Sequence, residues 1–61
     1  MKTITIEGDP ESIGAIMVSK AIPYTEHETV RIESTDQGSF TTRTIFRIVD
    51  AGDEGNELQF E

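Results

Sequence analysis

The sequence has no cysteine and no tryptophan, only one histidine and two prolines, and five basic residues against twelve acidic ones in 61 positions. Without cysteine there is neither a disulfide nor a thiolate metal site to reinforce the fold. A chain this short buries only about 60% of the surface its unfolded form exposes, so its core is marginal and tight packing or association must supplement it. It has room for one domain, residues 1–61. The longest apolar run, Ile13–Val18 ("IGAIMV"), falls far short of the ~20 residues a membrane span needs. The first residues lack the basic-then-apolar pattern of a secretory leader, and the expected setting is the cytoplasm.

The shortage of basic residues leaves a net charge of −7. A surface of that sign repels nucleic acid and anionic lipid, which disfavours a direct grip on DNA or membrane. The charge is unevenly spread. Residues 50–61 contain Asp50, Asp53, Glu54, Glu57 and Glu61 and no base, which is −5 of the −7.

What is present is strand-like alternation. "KTITIE" places Ile4 and Ile6 on one side and Thr3 and Thr5 on the other, the period-two pattern of a half-buried strand. "GDPES" follows as a helix start, with Asp9 as cap and Pro10 at the first helical position. Ile13, Ile16, Met17 and Ala21 approximate one apolar stripe, so a helix is expected up to about Ile22, ended by Pro23. "ETVRIES" and "SFTTRTIFRIV" read as the next two strands, joined by the loop "DQG" with Thr35 facing Ser39. That register sets Val30, Ile32 and Ser34 against Thr44, Thr42 and Phe40, and directs Phe40, Phe46 and Ile48 toward the helix. The expected fold is a two-layer α+β domain of order β-α-β-β, with one helix on one face of a mainly antiparallel sheet. A short fourth strand carrying Leu58 and Phe60 is expected after an acidic, glycine-rich loop at 50–56.

Motifs for catalysis are scarce. Counted from Asp50, "DAGDEGNELQFE" places acids at positions 1 and 12 and Gly55 at position 6 of a calcium loop. Gly52 at position 3 supplies no side-chain ligand, and the preceding segment reads as a strand, so no metal is expected. His27 has no serine or cysteine arrangement around it that spells a nucleophilic triad. "GDEG" is neither a dinucleotide fingerprint nor a phosphate loop, and no cofactor is expected. The turn "IEGDPESIGAI" resembles the ligand-binding turn of ACT-type regulatory domains over about a dozen residues. Its Glu7, Asp9 and Glu11 would repel the anion that such a helix start attracts. An enzyme is not expected, because so small a domain has little volume from which to build a dry pocket.

Two binding surfaces remain. The acidic cluster Asp50, Asp53, Glu54, Glu57 and Glu61 could mimic a phosphate run and occupy the nucleic-acid site of a larger basic protein. In size and charge the chain resembles the small acidic inhibitors of phages and mobile elements. Alternatively, the sheet face away from the helix, with Arg31, Arg43, Ile45, Arg47 and Val49, would dock an accessory or structural subunit onto a partner or a second copy. A more distant reading is a small regulatory domain for a cationic or neutral metabolite. The function expected is therefore protein binding, inhibition by a decoy surface being preferred and sheet-face docking, including a homodimer, the alternative.

Overall fold

The computed structural model describes residues 1–61 and contains no α-helix. Five strands form one mixed sheet: β1 (Thr3–Ile6), β2 (Ala15–Val18), β3 (Thr29–Ser34), β4 (Phe40–Asp50) and β5 (Asn56–Phe60). The spatial order is β1-β3-β4-β5-β2, with β1 parallel to β3 and every other pair antiparallel. The sheet curls into a half-barrel rather than lying flat under a helix, which overturns the expected α+β layering.

The helix fails at residues 10–22 for a local reason and a tertiary one. Asp9 does act as a cap: its Oδ1 accepts from the Glu11 N–H at 2.9 Å, and its carbonyl accepts from the Ser12 N–H at 3.3 Å. That start closes a single turn, because Gly14 and the β-branched Ile13, Ile16 and Val18 propagate a helix poorly, and a segment this short is marginal as an isolated helix. As a strand, the same residues gain a ladder with β5, in which Ile16 pairs with Leu58 and Val18 with Asn56. Pro10 opens no helix; it is fully buried.

The β3–β4 hairpin closes one residue away from the expected register. Ser34 N–H donates to the Ser39 carbonyl at 2.8 Å, so the loop is Thr35–Gly38 and Ile32 lies opposite Thr41. Thr35 is drawn out of the ladder by β1: its N–H and hydroxyl both donate to the Ile6 carbonyl, at 2.8 and 3.2 Å. Ser34 keeps the loop tight by accepting from the Gln37 N–H at 3.1 Å and donating to Asp36 at 2.8 Å. A one-residue shift exchanges the faces of a strand. Ile45 therefore points inward and is 0% exposed, while Phe40 points outward.

Strand β4 is long because it serves two partners, pairing with β3 over residues 40–44 and with β5 over residues 45–50. Between these stretches a bulge lies at Ile45–Arg47. It leaves Phe46 and Arg47 both exposed and returns Ile48 to the inner side. The concave side holds the core of Ile4, Ile16, Val30, Ile32, Ile45 and Leu58. The 7–14 connection lies against it, with Ile13 packed on the core. No helix is long and apolar enough to cross a membrane.

Candidate docking face on the outer side of the sheet

Arg43 shows how the register decides what a face can do. Sequence reasoning placed it on the open face. Its partner across the ladder is Val30, which is fully buried, so Arg43 points to the inner side. There its Nη1 donates to the carbonyls of Pro10, Glu11 and Ile13, each at 3.0 Å, and its Nη2 to the carbonyl of Glu61 at 3.2 Å. Its guanidinium carbon also lies 5.4 Å from the Phe60 ring centre. One side chain thus fastens the 10–13 connection and residue 61 to the sheet. Neither Arg43 nor the buried Ile45 offers a contact on the outer side.

The outer side is built from alternate residues of every strand. On β3 and β4 it carries Arg31, Glu33, Phe40, Thr42 and Thr44, followed by Phe46 and Arg47 at the bulge. Phe40 is 58% exposed and Phe46 is 57% exposed, although the chain has only three phenylalanines. The Arg31 guanidinium stacks 3.7 Å from the centre of the Phe40 ring, and its Nε donates to Glu33 at 2.7 Å. This cation–π and ion-pair arrangement holds a planar arginine flat on the surface, a contact worth about 0.5–1 kcal/mol at an exposed site. Val49, Glu57 and the exposed Met17 continue the face over the curled half of the sheet. Phe40, Phe46 and Met17 were missed in the sequence because the assumed register and helix turned them inward. A signal for the bulge was nevertheless present. Ile45 and Ile48 are three residues apart, and unbroken alternation cannot place both on one side.

The acidic residues of the last twelve positions are divided by the fold. Asp50 accepts from Lys20 at 2.6 Å and from the Gly52 N–H at 2.7 Å. The Lys20 hydrogen bond, then that of Gly52, holds its carboxyl below the usual carboxylate range. Asp53 and Glu54 are exposed on a single 3₁₀ turn, Gly52–Glu54. Beside it the Ser19–Ala21 turn leaves an open, polar cleft. Glu57 is half-buried on β5 and accepts from Gln59 at 2.8 Å. Glu61 lies at the far end of that strand, 3.9 Å from His27. His27, not a glycine, takes a positive φ of 70° so that its N–H can reach the Ile45 carbonyl at 2.7 Å.

The face also differs in charge from the rest of the molecule. Arg31 and Arg47 balance Glu33 and Glu57 on it, which leaves three bases and ten acids, the whole net −7, elsewhere. Comparison with known protein families, curated proteins and solved structures finds no match.

Proposed function

We propose that this chain is a protein-binding module, an accessory or structural subunit that docks onto a partner protein through the outer side of its sheet, working in the cytoplasm. The observation that carries the reading is the pair of phenylalanines, each more than half exposed on β4, the middle strand of the sheet. Each offers roughly 100 Å² to a partner, and burial at about 25 cal/mol per Å² gives ~2.5 kcal/mol apiece before association costs. Arg31, already stacked, and Arg47, set beside Phe46 by the bulge, supply polar contacts at little ordering cost. Because the face is charge-balanced, binding there should depend little on salt.

The decoy reading uses the −7 instead. Charge suits it, but the fold splits the acids between Asp53 and Glu54 at one end, Glu57 on the face and Glu61 at the other end, with Asp50 paired to Lys20. A pull-down separates the two, with wild type, the Phe40→Ser/Phe46→Ser variant and the Asp53→Lys/Glu54→Lys variant, which leaves the face intact, compared in low and high salt. A partner lost only from the phenylalanine variant, and retained in high salt, supports the outer face. A partner lost from the charge-reversed variant and in high salt, but kept by the phenylalanine variant, transfers the function to the acidic decoy.

A further inference from the structure

Strand β2 is the last strand of the sheet and pairs only with β5. The Phe60 N–H donates to the Gly14 carbonyl at 3.2 Å, which fixes the phase of that ladder. Gly14, Ile16 and Val18 direct their backbone groups toward β5, so the N–H and C=O of Ala15 and Met17 point away from the sheet. Proteins blunt such an edge with a charge, a proline or a bulge. This edge has none of them. Ser12–Ser19 is eight residues without a charge, the longest uncharged run in a chain that is 28% charged. The opposite edge, β1, is closed in by Glu7 and by Lys2, which pairs with Glu28 at 2.8 Å and lies over the Tyr24 ring.

We infer that β2 pairs antiparallel with the β2 of a second copy of this chain, about a two-fold axis at Ile16, to give one continuous ten-stranded sheet. Only one register uses both outward-pointing residues of each strand: Ala15 of one copy opposite Met17 of the other, repeated by symmetry. That register makes four N–H···O=C bonds. It also sets large against small, Met17 beside Ala15 and Val18 beside Gly14, and brings the two Ile16 side chains together on the inner side. An extended peptide from a charged partner finds no counter-charge along this strand, whereas a second copy matches it in shape. Two chains of −7 repel each other, so the pairing tightens as salt screens them. This pairing goes beyond the docking function; it shares Met17 with the outer face but leaves Phe40 and Phe46 uncovered on both copies.

Sedimentation equilibrium of the whole chain from micromolar to millimolar concentration, in low and high salt, tests the inference alongside Met17→Pro and Ala15→Lys. Proline at 17 removes an outward N–H without touching the ladder to β5, and lysine at 15 places a charge on the pairing edge. The expected result is a mass rising from 6.8 kDa to twice that value, more readily in high salt, with both variants weakening self-association by about tenfold or more. Hydrogen exchange at the Ala15 and Met17 amides should slow with protein concentration in the wild type alone. Should Met17→Pro unfold, Ala15→Lys still gives the answer, because its side chain is exposed. A mass of 6.8 kDa at millimolar concentration, variants that associate like the wild type, amides that stay unprotected on association, or growth past the dimer each overturn the pairing. A monomeric chain that still captures a partner through Phe40 and Phe46 would leave the docking function standing.

Discussion

Replacing Arg43 by alanine should be among the most destabilising single changes in the molecule. The side chain's hydrogen bonds reach three main-chain carbonyls of the 10–13 connection, which forms no ladder with β4, and that of Glu61, whose own N–H bonds the Thr44 carbonyl. The two N–H groups of Nη1 are shared among three carbonyls, so about three charged bonds count; at roughly 1.5–3 kcal/mol each they would total about 4.5–9 kcal/mol if all were dry. They are not dry: Arg43 is half-buried, and Glu11 and Glu61 are exposed, so water recovers part of the loss. A net cost of about 2–4 kcal/mol follows. For a 61-residue domain, whose total stability by size is about 3–9 kcal/mol, that is a large fraction. Urea unfolding followed by circular dichroism should show the lower midpoint, and the melting temperature should fall by about 10–25 °C. Lysine has a compact ammonium instead of a planar fork, cannot reach all four carbonyls, and should recover less than half of the loss. Amide exchange at Glu11–Ile13 should quicken first in either variant. An alanine variant within about 0.5 kcal/mol of wild type would refute the idea that Arg43 fastens the connection to the sheet.

Gly55→Ala should cost roughly 2–4 kcal/mol in the same unfolding assay, since a Cβ there overlaps the Val18 carbonyl at a φ of 108°, whereas Gly52→Ala at a φ of 68° meets open space and should cost only about 1 kcal/mol. His27→Gly should leave stability unchanged or raise it by up to ~1 kcal/mol, because glycine takes the positive φ without strain, while His27→Val should lower it; thermal melts of the pair decide this. Glu28, Asp36 and Asp50 have carboxyls held below the usual range, chiefly by the Lys2 hydrogen bond, the Gly8 N–H and the Lys20 hydrogen bond respectively. Groups depressed in this way contribute stability that is present above the unfolded carboxylate values and is lost as pH falls through the folded ones. The fold should therefore weaken below roughly pH 4.5, and Glu28→Gln, Asp36→Asn or Asp50→Asn should flatten that acid limb in melts taken across pH.

The alternation of "KTITIE", "ETVRIES" and "ELQFE" was a sound guide to β1, β3 and β5, because these strands bury one face and their apolar residues fall two apart. Residues 13–18 were not legible, since Ile13, Ile16 and Met17 suit a helical stripe as well as a short strand, and only the presence of β5 decides between them. The hairpin register also turned on a distant contact, the bonding of Thr35 to Ile6, which no local turn rule contains. That single residue moved Ile45 and Arg43 off the outer face and put Phe40 on it. Of the residues first read as an open-face site, Arg31, Arg47 and Val49 remain there. The parts of the site made by Phe40 and Phe46 on β4, and by Met17 on the curled half, became visible only once register and bulge were known.

Placing a photo-cross-linking phenylalanine analogue at position 46, and separately at position 53, in cells that make the chain tests the central claim most directly. Docking through the outer face predicts one discrete cross-linked protein through position 46 and none through position 53. Cross-linking through position 53 alone would contradict it and place the partner on the acidic end instead.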